Sequence, residues 1–182
     1  METLEKYQRL NLINQYEILL HLAITRKDDY WAEKYKQYIK VLECGYVGEY
    51  YMLFENISDE FSKEESELVW DILQIYSNIQ YSYRKLKNPK LTESQIRFDG
   101  FDGNNEICYL AFCEFVLFDL HRFGELQENG RRDFNSHSRR YEKYKAMQEK
   151  WIAMDKPFEM SEKDIEFLLI SNGLSIAIHF SC

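Results

Sequence analysis

The sequence predicts an all-α protein, with a single multihelical domain of about six helices over residues 1–182. Apolar residues recur three and four positions apart almost throughout the chain, as on one face of a helix. Glycine and proline are scarce, at 7 and 2 residues, which favours long helices over turn-rich sheets. Because no repeat, low-complexity run or linker divides the chain, we expect one domain.

Each helix is predicted from an apolar stripe and from the residues that begin it. The six stripes are Leu12–Ala23, Trp31–Leu42, Val69–Tyr83, Cys108–Phe118, Tyr144–Trp151 and Ile165–Leu169. Asp28 or Asp29 can cap the second helix, because a short carboxylate accepts from the unpaired N–H groups of a first turn. Ser62 and Glu65 have the spacing of a capping box before the third helix. Ser161 is expected to cap the sixth.

The ends of the helices are predicted from glycine, proline and asparagine. Gly45 can adopt the left-handed conformation that ends the second helix. Asn88 precedes a proline, which disfavours the helical region, so the third helix should end there. Before the fourth helix, "FDGFDGNN" predicts tight turns and then a cap from Asn104 or Asn105, with Glu106 in the first turn.

Composition and charge exclude several classes of protein. A net charge of −8 and a pI near 5.1 are unsuited to nonspecific capture of nucleic acid. The apolar stretches fall short of the about 18 residues that a membrane span requires, and the N-terminus lacks a signal-peptide core, so we expect a cytoplasmic protein without a membrane partner. No cysteine pair has CxxC spacing, and we expect reduced, buried thiols at Cys44, Cys108, Cys113 and Cys182.

Surplus aromatic residues and the C-terminal tail suggest self-association. Aromatic residues form 16% of the chain, and the stripes leave Tyr30, Tyr50, Tyr51 and Tyr81 facing outward. Tyrosine combines an apolar body with a polar tip, which suits a surface covered part of the time. The alternative is that these rings complete the core of a monomer. Residues 174–182 alternate like a strand, so this tail either packs as an extended segment or pairs with another chain.

Four segments carry a resemblance to a known family. They are "QRLNLINQYEILL", "ECGYVGEY", "RFDGFDGNNE" and "DFNSHSRRYEKYKAMQEKW". In this order and spacing, from about Tyr7 to the sixth helix, the chain resembles the YfbU family of small bacterial proteins. The resemblance implies an all-helical cytoplasmic domain that forms homo-oligomers, and it implies no particular biochemical activity. The segment 174–182 extends beyond the family's usual end.

The acidic loop before the fourth helix invites a calcium interpretation that its spacing does not support. An EF-hand loop needs glycine at its sixth position, and neither Asp99 nor Asp102 as first residue provides it. A ligand pocket lined by these two carboxylates is the remaining functional hypothesis. Glu17 with His21, and the pair His179 and Cys182, each form at most part of a metal site, so we expect no metal and no cofactor.

A basic stretch provides the one candidate for catalysis. Arg132 and His137 resemble the R-x4-6-H signature of HEPN-type ribonucleases, metal-independent helical enzymes that act as dimers. His137 would serve as general acid or base, and Arg132 would stabilise the charge on the phosphate. Residues 131–145 hold six cationic and two acidic residues, a local charge of +4, and RNA is a partner only under this hypothesis.

The alternative is that this stretch is only the entry to the fifth helix. Asn135 or Ser136 would cap the helix, and the basic residues would form its solvated face. The leading hypothesis is therefore a non-enzymatic helical homo-oligomer whose aromatic and basic surfaces contact a protein or an anionic ligand. Arg139 and Arg140 are the candidate contacts for such a ligand.

Overall fold

The computed structural model describes residues 3–127 and 130–170, and within these ranges the protein is all-α, as predicted. The residues group into two compact units, one up to Glu60 and one from Phe61 onward. The expected extended tail, residues 174–182, lies outside the described residues, and the expectation of one domain stays a prediction. No helix in the described ranges is both long and apolar enough to cross a membrane.

The first unit is a helical hairpin followed by a 3-10 helix. It consists of α1 (Lys6–Arg26), α2 (Asp29–Cys44) and the 3-10 helix Val47–Leu53. Both predicted ends of α2 are confirmed, because Asp28 accepts from the N–H of Trp31 at 3.1 Å and Gly45 has a left-handed φ of +65°. Tyr50 is buried, not outward-facing as predicted, because the 3-10 helix presents this ring to the core.

The second unit is organised around one long central helix. Its helices are α3 (Lys63–Tyr83), α4 (Glu93–Ile96), α5 (Ile107–Glu114), α6 (Tyr141–Ala153) and α7 (Glu162–Leu169); a π-helical turn, Phe115–Asp119, continues α5, and a 3-10 helix spans Gly124–Leu126. Because the short α4 was not predicted, α5, α6 and α7 are the fourth, fifth and sixth helices of the sequence analysis. The predicted caps of α3 and α7 are confirmed, with Ser62 accepting from Glu65 N at 3.1 Å and Ser161 accepting from Asp164 N at 3.3 Å.

Helix α3 contributes the largest share of the buried core. Its buried apolar residues are Leu68, Val69, Ile72, Leu73, Ile75, Tyr76 and Ile79. They pack with an aromatic group from the rest of the unit, including Phe98, Phe101, Phe134 and Tyr144. The helix ends at Tyr83, before the predicted end, and Asn88 takes a left-handed φ of +55° in the turn that follows.

Two predicted caps are wrong, and the predicted burial of the thiols is confirmed for Cys113, wrong for Cys44 and Cys108, and falls outside the described residues for Cys182. Neither Asn104 nor Asn105 caps α5, and Glu106 precedes its first residue instead of lying in its first turn. Neither Asn135 nor Ser136 caps α6, because that helix begins only at Tyr141. Of the described cysteines, Cys113 is buried, which raises the pKa of its thiol, whereas Cys44 and Cys108 are exposed on helix surfaces.

Candidate functional site

The two segments that looked most like functional motifs bind each other. The loop 98–106 and the segment 131–140 meet as one parallel β-bridge between Phe101 and Asn135. The N–H of Phe101 donates to the carbonyl of Phe134 at 3.0 Å, and the N–H of Ser136 donates to the carbonyl of Phe101 at 3.0 Å. We call this pair of segments the clasp. It contains all the residues predicted for catalysis or ligand binding: Asp99, Asp102, Arg132, His137, Arg139 and Arg140.

Two glycines allow the clasp to close. Gly100 has a φ of +94°, and a Cβ at this position would lie 1.7 Å from the carbonyl oxygen of Phe134. At Gly103, a Cβ would lie 2.6 Å from the side-chain nitrogen of Asn135. The N–H of Gly103 donates to Asn135 Oδ1 at 3.0 Å, and the Tyr144 hydroxyl donates to the Gly100 carbonyl at 3.0 Å. These are the tight turns that the sequence predicts, and they serve a close backbone approach.

Glu106 caps α6 from a distance in the sequence. Its side chain is 6% exposed and accepts from the backbone N–H groups of Arg140 and Tyr141, each at 2.8 Å. Its second oxygen accepts from the N–H of Asp102 at 3.0 Å. A carboxylate satisfies the unpaired donors of a first helical turn and interacts favourably with the helix dipole. Glu106 therefore stabilises both segments of the clasp, and the sequence analysis did not predict this role.

The predicted ligand carboxylates are already engaged within the clasp. Asp102 is buried and accepts from the N–H of Asn104 at 3.0 Å and from the side-chain amide of Asn105 at 2.6 Å. These hydrogen bonds, chiefly the one from Asn105, lower the pKa of Asp102. Asp99 pairs with Arg140 at 3.1 Å. Binding of a ligand to Asp99 and Asp102 stays a prediction, and a ligand would have to displace these partners.

Internal contacts also engage most of the predicted basic patch. Arg131 donates to the carbonyls of Phe98 at 2.6 Å and Asp99 at 2.9 Å, and its guanidinium lies 4.6 Å from the ring centroid of Phe134. Arg139 donates to Asn105 Oδ1 at 2.9 Å. A guanidinium group that already donates to fixed partners is less available to phosphate. The local charge of +4 therefore overstates the positive charge that this surface presents to a phosphate.

Arg132 and His137 are both exposed on the outer side of the clasp. The N–H of His137 donates to Asn135 Oδ1 at 2.9 Å, and the residue takes a left-handed φ of +52°. Neither side chain makes a hydrogen bond or ion pair with residues 3–127 or 130–170. The nuclease hypothesis stays a prediction, without the fixed partner that usually orients a catalytic histidine.

The nuclease hypothesis has a direct test in the His137→Ala variant. If His137 is catalytic, wild-type protein degrades RNA in the presence of a chelator. The variant should then cleave at least about a hundredfold more slowly, as expected for loss of a general acid or base. Because the imidazole is exposed and makes no hydrogen bond with residues 3–127 or 130–170, we expect His137→Ala to fold as wild type and neither protein to cleave. Chelator-resistant cleavage lost only in the folded variant would establish the enzyme.

An aromatic cleft lies beside the clasp. It measures about 370 Å³ and is lined by Asn105, Glu106, Tyr109, Arg139, Tyr141 and Glu142. The rings of Tyr109 and Tyr141 lie 5.2 Å apart, and the Tyr109 hydroxyl donates to Glu65 at 3.1 Å. Burial raises the pKa of Tyr109, so this hydroxyl stays protonated. Only Arg139 in this lining is cationic, and the spacing of the sequence gave no indication that these residues meet.

Metal chemistry finds no support within the described part of the chain. Residues 3–127 and 130–170 contain no group of three or more His, Cys, Asp or Glu side chains that could hold a metal ion. Glu17 and His21 both lie on α1, so the half site suggested by their spacing is not completed there. His179 and Cys182 lie outside the described residues.

Comparison with known proteins decides the family. The model of the YfbU domain matches residues 1–170. The chain belongs to the YfbU family. This YfbU chain is also 34% identical over 169 residues to the UPF0304 protein MJECS11 of Methanocaldococcus jannaschii, an alignment covering 89% of the chain and 96% of the relative. The resemblance is thus confirmed, and because this relative is archaeal, the family is not confined to bacteria as we had described it.

Proposed function

We propose that this protein is a non-catalytic helical module that associates with copies of itself through the outward face of α1. The proposal rests on one observation. Helix α1 has 21 residues and buries only Ala23, although it carries several large apolar side chains. A helix of this length owes its stability mainly to the packing of an apolar face, so an unpacked face implies a missing partner.

The outward face of α1 forms a continuous row along the helix. Its members follow each other at intervals of four, three, four and four positions: Tyr7, Asn11, Asn14, Ile18 and Leu22. All five are exposed, and Ile18 is 63% exposed. These intervals place side chains on one side of a helix, as in the seam of a helical pair. The row lies on the side of α1 away from Ala23.

The composition of this row favours a second copy as the occupant. The row contains no charged residue, so it offers nothing to attract a charged partner selectively. In a two-fold pair the same row supplies both sides, which brings apolar side chains and asparagine amides into one seam. Polar asparagine in such a seam fixes register and oligomeric state. We therefore assign the row to self-association.

Replacing Ile18 and Leu22 with glutamate should dissociate the assembly. Wild-type protein is expected to have a mass in solution that is a multiple of the 22.1 kDa chain, measured by size-exclusion chromatography with light scattering. The double variant should elute at the mass of one chain, because each chain would bring two unpaired carboxylates into the seam. Its helical circular dichroism should be retained, since both positions are exposed in the single chain.

A matched control separates this face from apolar surface in general. Ile24 is also exposed on α1, but it lies outside the row, so Ile24→Glu should leave the assembly intact. A wild-type protein that is monomeric over a wide concentration range contradicts the proposal. Equal dissociation by Ile24→Glu would also contradict it, because the row would then have no special role.

A further inference from the structure

A second cleft in the helical unit from Phe61 onward has the features of a small-molecule site. It lies between the C-terminal end of α3 and the segment around α4, and it measures about 580 Å³. This volume falls within the roughly 300–1,000 Å³ that ligand pockets usually occupy. Leu86, Pro89 and Ile96 provide its apolar surface. No residue of this cleft belongs to the clasp or to the outward row of α1.

One side chain of this cleft is unsatisfied. Gln80 lines the cleft and is only 4% exposed, yet its side-chain oxygen has no hydrogen-bond partner among residues 3–127 and 130–170. An unpaired buried amide oxygen costs free energy, and most buried polar atoms in folded proteins are paired. The oxygen is itself buried, so a ligand N–H in the cleft satisfies it once the Gln80 amide turns toward the cleft. Gln80 is thus a buried amide at the cleft whose oxygen lacks a partner in the described part of the chain.

The rim of the cleft is suited to an anion. Arg97 lines the cleft, is largely exposed, and has its nearest acidic partner, Asp99, only at 3.9 Å. Arg97 also lies close enough to Arg131 that the repulsion between them contributes to the lowered pKa of Arg131, after the larger effect of burial. Asp99 and Asp133 offset part of this repulsion, and Arg131 is held by the carbonyls of the clasp, so Arg97 is the guanidinium group that this rim presents to an anion. Glu93, the one acidic residue of the lining, lies on the first turn of α4.

From these features we infer that the cleft binds a nucleoside monophosphate, with the phosphate at Arg97 and an N–H group of the base at Gln80. Guanidinium groups recognise phosphate through paired, charge-assisted hydrogen bonds. Each of the four common bases carries at least one N–H donor, and its flat face matches the apolar surface of Leu86, Pro89 and Ile96. This inference does not depend on self-association.

Calorimetric titration with the four ribonucleoside 5′-monophosphates tests the inference on the full-length protein. At least one should bind, and Arg97→Ala should weaken its affinity by about tenfold or more, as expected for loss of a charge-assisted pair. Lys163→Ala removes the same charge at an exposed position of α7 outside the cleft and should leave the affinity unchanged. The matching nucleosides and inorganic phosphate, which each provide one half of the contacts, should bind more weakly.

Gln80→Leu distinguishes recognition from a structural role. Because the oxygen has no partner among the described residues, its removal should preserve or raise the melting temperature while weakening nucleotide binding about tenfold. A fall in melting temperature with unchanged affinity would show that Gln80 is structural and would overturn the assignment. The inference also fails if none of the four nucleotides binds, or if inorganic phosphate binds as well as they do.

Discussion

Replacing Gly100 with alanine is expected to open the clasp and to destabilise the unit from Phe61 onward. The new Cβ would lie 1.7 Å from the carbonyl oxygen of Phe134, and the φ of +94° is one that alanine rarely adopts. Backbone strain and forced displacement each cost about 1–3 kcal/mol, so we expect a loss of about 2–6 kcal/mol. The backbone of Phe134 would have to move, together with the Phe101 hydrogen bond that it accepts.

Chemical denaturation followed by circular dichroism measures this loss. Gly124→Ala is the matched control, because a Cβ there meets nothing within 4 Å and its φ is not in the left-handed region. The control should stay within about 1 kcal/mol of wild type, as expected for a substitution without strain. A Gly100→Ala protein as stable as this control would show that the clasp does not require the close approach.

Glu106→Ala is expected to have an effect of similar size by a different mechanism. The substitution leaves three backbone N–H groups, those of Asp102, Arg140 and Tyr141, without their acceptor in a nearly buried site. Each unpaired buried donor costs about 1–3 kcal/mol, so three would cost about 3–9 kcal/mol in a dry site. Because Arg140 and Tyr141 are only partly buried and water can reach their N–H groups, we expect a loss of about 3–5 kcal/mol. The start of α6 should fray first, since two of the donors belong to its N-terminus.

Two comparisons make this prediction specific. Glu106→Gln keeps an acceptor oxygen for α6 but turns an amide N–H toward the backbone N–H of Asp102. It should therefore lower the free energy of unfolding, but by less than Glu106→Ala does. Glu142→Gln, at an exposed position in the first turn of α6, should change the stability by less than about 1 kcal/mol. If Glu106→Ala lowered the free energy of unfolding no more than Glu142→Gln does, the cap that Glu106 forms on α6 would contribute nothing to stability.

The sequence predicted the helices well because their determinants are local. Asp28 accepts from Trp31, Ser62 accepts from Glu65, and the apolar spacing of the Val69–Tyr83, Tyr144–Trp151 and Ile165–Leu169 stripes marks the buried faces. These interactions span three or four residues, and they depend little on the rest of the fold. The stripe predicted for the fourth helix is wrong, because the buried residues there are Leu110, Cys113, Val116 and Leu117 and not Cys108, Ala111, Phe112, Phe115 and Phe118. Tyr50 shows the limit of this reasoning, because its burial follows from a 3-10 helix that carries no clear periodic pattern.

The clasp could not be predicted because its contacts join distant parts of the chain. Glu106 caps a helix that begins 35 residues later, and no spacing rule connects them. The glycine-rich loop did indicate tight turns, and Gly100 has the predicted freedom of conformation. The sequence did not indicate what this loop binds, so "RDFNSH" resembled a catalytic motif, whereas in the structure Asn135 pairs with the loop backbone. Two motif-like segments in one chain were thus partners of each other.

The proposed self-association through α1 would give this helical chain a role that requires no catalytic group. The apolar side chains of the row are exposed in a single chain, and pairing would remove them from water. The cleft around Gln80 would add ligand binding to such an assembly.

Thiol labelling at position 18 tests the central claim most directly. Ile18→Cys and Ile24→Cys are compared in a background with serine at Cys44, Cys108 and Cys182, which leaves only the buried Cys113. In a single chain the two positions are similarly exposed, at 63% and 55%. We predict that a polar thiol reagent modifies position 18 at least about tenfold more slowly than position 24, because pairing excludes water from the seam. Adding Leu22→Glu, which should prevent pairing, should abolish this difference in rate. Equal rates at both positions would contradict self-association through this face.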